Sequence, residues 1–195
     1  DLTVGNIYKN FLLYATPLLL SSLLSQMYST IDGMIAGKFI SEHALGAISS
    51  TGSFVTLSRS FFRGFAAGFS IYIAKLFGQK DYRSLKKDVI HVSVIVALVS
   101  VLISIISIIF HDPIIDYLQV DPVLRKDAET YFVIYTAGYV IYFLNLVLVR
   151  VLYALGVTSF SLYISFISAF LNIGGNLLSV LVLDLGVAGL TISTV

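Results

Sequence analysis

Asp32 ends a long uncharged run, within the stretch MYSTIDGMIAG over residues 27–37. A carboxylate in a membrane helix costs about 2.5–3.5 kcal/mol at the helix centre and less near an end. Either Asp32 caps its segment in solvent at the interface, or it faces inward and holds a proton or a small cation. Tyr28, one turn earlier on the same helical face, favours the inward orientation by adding a second polar group there. Asn172 and Asn176 also share one helical face. Their amides either bridge to a neighbouring helix, since polar groups away from water need partners, or lend carbonyl oxygens as hard ligands to a cation.

Arg59 and Arg63 have the same helical spacing. In a helix longer than the bilayer is thick they could snorkel to headgroups. Otherwise they put a cationic face on a central cavity, which favours anionic or zwitterionic cargo. Tyr131, Tyr135, Tyr139 and Tyr142 form a helical stripe that either packs at an interface belt or cages a substrate. The candidates for a substrate cavity are Tyr28, Arg59, Arg63 and Tyr139. His43, His91 and His111 lack metal-ligand spacing, and the chain has no cysteine. No nucleophile–base pair, HExxH motif or phosphate-binding glycine loop occurs. The expectation is a protein that is not an enzyme and has no resident cofactor.

Apolar helices must position these groups. The chain has 195 residues, 57% hydrophobic and 12% charged, with a mean hydropathy of +0.94. Soluble domains carry about 25% charged residues. Lys9 and Asp32 enclose 22 uncharged residues; Asp88 and His111 enclose 22, interrupted only by His91. Glu129 and Arg150 enclose 20, and Arg150 and Asp184 enclose 33. A hydrocarbon core of about 30 Å needs about 20 apolar residues per helix, so these runs predict an all-α, polytopic membrane bundle. They are too many for a cleaved signal peptide, and too long and unalternating for barrel strands of about 10 residues. Six segments are predicted: about 10–33, 45–75, 89–110, 129–153, 160–183 and a partial 187–195. Between them lie Gly37-Lys38, the run Gly78 to Asp81, Asp112-Pro113, Asp121-Pro122, and the run Leu155 to Thr158. Pro17 predicts a kink in the first segment.

The net charge of +1 gives no field that would recruit nucleic acid. Basic residues are unevenly spread: Lys9, Lys75, Lys80, Arg83, Lys86, Lys87 and Arg150 fall on one side, against Lys38, Arg125 and Lys126 on the other. The bias predicts a cytoplasmic N-terminus in a multi-pass protein of the plasma (cell inner) membrane. The polar 75–87 stretch anchors that topology on anionic headgroups. Eleven residues follow Asp184, too few to span, so the chain is expected to be part of a longer protein.

Several motifs then fall in order. Pro17 precedes Tyr28 to Asp32, Gly37 and the run Ala44 to Ala47; the run Ala74 to Asp81 closes the second segment. Arg150 to Gly156 follows the fourth segment. Leu171-Asn172, Asn176, the run Leu185 to Gly189 and Ser193-Thr194 complete the set. The chain resembles, over essentially its whole length, the N-terminal half of a MATE (multidrug and toxic compound extrusion) transporter.

The resemblance implies a six-helix N-lobe, 1–195, with its sixth helix truncated and the C-terminal lobe of the same full-length chain as its partner. It implies export of small organic compounds, drugs or toxins, in exchange for Na⁺ or H⁺ by alternating access. It also implies a cation-coupling site at Asp32, Asn172, Asn176 and Thr194, able to hold Na⁺. In the family pattern the position of Asn176 is acidic. The amide here removes one of two carboxylates and argues against a two-carboxylate proton relay. A single Na⁺, or a proton on Asp32, would leave such a pocket neutral. The alternatives are a flippase for lipid-linked saccharide in the same superfamily, whose pyrophosphate the paired arginines would suit, and a structural lobe that does not couple. The implied partners are a small-molecule substrate and the lipid bilayer, with no nucleic acid.

Overall fold

The computed structural model describes residues 6–195; the first five residues of the 1–195 lobe reading lie outside them. The described residues form α1 (Ile7–Ile35), α2 (Glu42–Gly78), α3 (Tyr82–Ile109), α4 (His111–Tyr117), α5 (Arg125–Ala137), α6 (Tyr139–Ala154), α7 (Thr158–Leu177) and α8 (Gly186–Thr194). π-helical segments extend α1 over Ala36–Ile40 and α7 over Leu178–Val182. The result is an all-α membrane bundle, without strands among the described residues.

Three helices are long and apolar enough to cross a membrane: Tyr8–Ile40, Tyr82–Ile109 and Thr158–Val182. The α5–α6 pair makes a fourth if counted as one span. With 37 residues, α2 is about 56 Å long. Length is no obstacle there, but serines, glycines and two arginines dilute its apolar character. Large apolar side chains such as Leu57, Phe61, Leu98, Leu102, Phe166 and Phe170 point outward, as a surface facing lipid requires.

Two breaks differ from the sequence reading. The predicted helix 129–153 is two helices bent by 49° at Gly138. Bending frees backbone carbonyls, which in a bilayer need protein donors. Ser104 of α3 supplies one, donating to the Thr136 carbonyl at 2.7 Å. No side chain fits at the corner, where a Cβ on Gly138 would lie 1.8 Å from Val195 Cγ1. The predicted break at Gly37-Lys38 is absent. The chain stays helical through the π segment to Ile40 and turns at Ser41, whose side chain accepts from the Ala44 N–H at 3.0 Å and so caps α2.

The loop expected around Asp112-Pro113 instead contains α4, with Pro113 in its first turn, where the missing N–H is harmless. The Arg125 guanidinium then ties the linker together. Its Nη1 pairs with Asp116, its Nη2 with Asp112 at 3.0 Å, and its Nε with Glu129 at 2.8 Å. At Gly156, φ is +79°, which lets Val157 N–H close back on the Leu152 carbonyl at 2.9 Å and end α6.

The core lies between α2, α3, α5 and α6. Phe62 and Phe143 stack with centroids 3.6 Å apart, flanked by Tyr139 and Val147. α1 and α7 run side by side in the same direction. Tyr14 donates to the Tyr153 carbonyl near their beginnings, and Asp32 meets Asn176 near their ends. α8 closes on both. A Cβ on Gly189 would sit 2.7 Å from Ser179 Cβ and 2.8 Å from Leu185 Cβ.

Gly189→Ala should therefore destabilise the detergent-solubilised protein by about 1–3 kcal/mol, the range for overpacking. Gly68→Ala, where a Cβ meets nothing within 4 Å, should be neutral or stabilising by about 0.5–1 kcal/mol from helix propensity. Thermal unfolding of both variants checks the contrast; equal effects would place the tight packing of α8 elsewhere.

Candidate functional site

Asp32 leaves α1 toward α7 and α8. Asn176 Nδ2 donates to Asp32 Oδ1 at 2.5 Å and lies 3.3 Å from Asn172 Oδ1. Asn172 Nδ2 in turn reaches the Ser193 carbonyl at 3.2 Å and Thr194 Oγ1 at 3.4 Å. Thr194 Oγ1 is 3.5 Å from Asp32 Oδ2 but only 2.8 Å from the Leu190 carbonyl. A hydroxyl has one proton to give, so at these distances it serves Leu190 first and leaves Oδ2 weakly supported. Asp32, Asn172, Asn176 and Thr194 thus come together as one cluster on three helices. Asp32 is half-buried rather than free at an interface.

Asn176 is 0% exposed, and its Oδ1 has no hydrogen-bond partner among the described residues. Its Nδ2 faces the carboxylate, the arrangement that stabilises a charged Asp32. The spare carbonyl oxygen is a buried acceptor beside that carboxylate, which normally costs about 1–3 kcal/mol when unsatisfied.

Small residues let the three helices close. A Cβ on Gly175 would approach Ser193 Oγ to 3.1 Å, so the glycine admits α8 against α7. Ser179 Oγ donates to the Asn176 carbonyl at 3.2 Å and lies 3.4 Å from Ser193 Oγ. Sequence reasoning missed Ser179 and Ser193. Ser179 follows Asn176 by three residues, the other spacing that keeps side chains on one helical face, and extending the face one turn would have found it. Both π segments begin just past the cluster, at Ala36 and Leu178; π turns inside α-helices are frequent at functional sites.

The substrate-cavity candidates divide. Arg59 Nε donates to Tyr142 Oη at 2.9 Å, with Cζ 5.1 Å from that ring's centroid. Tyr28 and Tyr135 lie within electrostatic reach of the guanidinium. Tyr139 is 0% exposed, and its hydroxyl has no hydrogen-bond partner among the described residues. The nearby Ser58 hydroxyl gives its proton to the Phe54 carbonyl at 3.1 Å. Arg63 stands apart on an exposed face and makes no ion pair or hydrogen bond among the described residues.

Position along α2 separates the two arginines by one turn. Arg59 lies about 26 Å from the start of α2 and about 28 Å from its end. Arg59 is thus close to the middle of α2. Arg63 follows one turn later on the exposed face.

The apolar exterior, the absence of strands among the described residues and the enclosed polar cluster define a polytopic helical membrane protein. A model of the MatE family matches residues 17–178, and the chain belongs to that family of membrane transporters. A solved structure described as MATE in complex with MaD3S has the same fold, with a TM-score of 0.89 at 19% sequence identity. The match covers 97% of this chain and 43% of that one. No curated protein sequence matches.

Replacing Asn176 by Leu removes the shortest donor to Asp32 and one of the two donors on the Asn172–Thr194 side of the cluster. The expected cost is about 1–3 kcal/mol of stability, read as a lower midpoint in thermal or denaturant unfolding. Thr194→Val, which removes a hydroxyl committed mainly to its own helix, should cost less. The reverse order would mean that Thr194 rather than Asn176 holds the carboxylate.

Proposed function

We propose that the chain is the N-terminal lobe of a secondary antiporter that exports small organic compounds by alternating access in exchange for Na⁺ or H⁺. Asp32, Asn172, Asn176 and Thr194 form its coupling site. The observation that carries this reading is Asn176 Oδ1, wholly buried beside a carboxylate and without a hydrogen-bond partner among the described residues. Such an oxygen is idle while the amide nitrogen serves a charged Asp32. It becomes useful when a small cation enters or Asp32 takes up a proton, because the amide can then turn its oxygen toward the newcomer.

The donor set suits this exchange. One carboxylate and three neutral side chains are neutral overall with one Na⁺ or one proton, so either loading removes the charge that resists movement through a low-dielectric interior. Loading would draw α1 toward α7 and α8 at the point where the π segments begin, which links occupancy to the geometry of the lobe. The remainder of the full-length chain supplies the second lobe, and the protein lies in the plasma membrane with its N-terminus in the cytoplasm. The flippase alternative is weaker, because Arg63 does not join Arg59 and a two-arginine pyrophosphate clamp lacks its second arm.

The test is transport by the full-length protein in proteoliposomes under separate Na⁺ and pH gradients. Asp32→Asn should reduce ion-driven export to the level of empty vesicles. Asn176→Asp should retain export and bind the coupling cation more tightly, since it adds a second carboxylate to the same face. Undiminished ion-driven export by Asp32→Asn would remove this cluster from coupling and leave the lobe a structural one.

A further inference from the structure

We propose that Arg59, together with Tyr142, Tyr139 and Tyr135, forms an anion-recognition site inside the bundle that binds a carboxylate or phosphate group. In its use for transport it rests on the cargo-exporting reading above, while its geometry is separate from the Asp32 cluster.

Arg59 is a cation at the centre of a membrane helix without a built-in counter-anion: among the described residues no carboxylate pairs with it. Among the described residues, the titratable groups within electrostatic reach of it include the tyrosines Tyr135, Tyr142, Tyr28, Tyr131 and Tyr139. Asp32, the other intramembrane charge, is engaged by Asn176 and Thr194. The Arg59 side chain turns to Tyr142 of α6 rather than running along α2 toward either helix end.

Tyr142 fixes the guanidinium rather than neutralising it. Its oxygen takes Nε at 2.9 Å, and its ring lies 5.1 Å from Cζ. Orientation is thereby set, while the two terminal nitrogens make no hydrogen bond or ion pair among the described residues. Those nitrogens are the fork that matches a carboxylate or phosphate through parallel hydrogen bonds. Arg59 is half-exposed, so the fork is reachable.

A second, independent feature points the same way. Tyr139, within electrostatic reach of Arg59 and beside Ser58, is 0% exposed, and its hydroxyl has no hydrogen-bond partner within 3.5 Å among the described residues. The neighbouring Tyr135 is 5% exposed and packs edge-on against the Tyr139 ring at a centroid distance of 6.0 Å. The locality therefore collects donors, a guanidinium fork and phenol hydroxyls, and supplies no anionic acceptor. An anionic group on a bound molecule completes it, and the aromatic walls strengthen each charge-assisted bond by excluding water.

The experiment measures equilibrium binding to the full-length protein in phosphatidylcholine nanodiscs, with no ion gradient. The probes are naphthoate, naphthamide and naphthylmethylammonium, which share a ring system and differ in charge. Naphthoate should bind about tenfold tighter than naphthamide, as a bidentate charge-assisted pair predicts. Arg59→Gln should reduce naphthoate to the naphthamide level, while Arg83→Gln at the α3 start should change nothing. Should Arg59→Gln fail to fold, Arg59→Lys is decisive. It retains the charge but not the fork, and should weaken naphthoate by about threefold or more; unchanged affinity overturns the site.

Repeating the titration in phosphatidylglycerol nanodiscs separates the sources of the anion. Unchanged naphthoate affinity assigns the site to a soluble cargo, and Arg59-dependent weakening assigns it to a competing lipid headgroup. Equal binding of naphthoate and naphthamide by the wild type, or a naphthoate preference that survives Arg59→Gln, overturns the proposal. Loss of coupling at Asp32 would leave these results standing. Loss of the naphthoate preference with ion-driven export intact would remove the Arg59 site alone.

Discussion

The hydrogen bond from Asn176 to Asp32 is the contact on which the polar half of this bundle depends. In hydrocarbon a carboxylate has no water to turn to, so protein donors must come to it from other helices. Asn176 comes from α7 and Thr194 from α8, which obliges both helices to approach α1 where Asp32 leaves it. That approach requires small residues. Gly175 faces Ser193 where a Cβ would be tight, at 3.1 Å from Oγ, and Gly189 faces Ser179 at a distance no Cβ could share. The half-buried Asp32 charge and the glycines beside it thus mark where α7 and α8 close on α1.

The same rule governs the aromatic half by different means. Arg59 lies near the middle of α2, and phenols surround it in place of amides or carboxylates. The two intramembrane charges of opposite sign are kept apart, each with its own partners, instead of neutralising each other in one ion pair. A direct pair would fill both valences and leave nothing for a third molecule. Separation leaves Asp32 with a spare carbonyl oxygen beside it and Arg59 with a free fork.

Irregular backbone follows this logic. The bend at Gly138 frees carbonyl groups inside the bundle, and Ser104 satisfies one of them. The π segments after Asp32 and Asn176 keep their backbones paired while altering the helical register next to the cluster. The sharper turns, at Ser41, at Gly78 to Asp81 and at Gly156, fall at helix ends, with side-chain caps or a positive φ to close them.

The fold class was legible from the sequence because apolar run length is a one-dimensional property, set by bilayer thickness and the rise of a helix. The pairing of Asn172 with Asn176 was legible too, since one helix determines which of its own residues share a face. The sequence could not show where helices bend without proline. At Gly138 the bend depends on what α3 and Val195 present from elsewhere in the chain. Nor could spacing alone separate Arg59 from Arg63. They look alike in the sequence, yet one meets Tyr142 from a helix eighty-three positions away and the other meets nothing among the described residues. The polar chemistry of Asp32 was a question in the sequence, and its partners, 144 and 162 positions along the chain, were decided by tertiary packing. A buried charge selects its donors by distance in space, which chain position does not record.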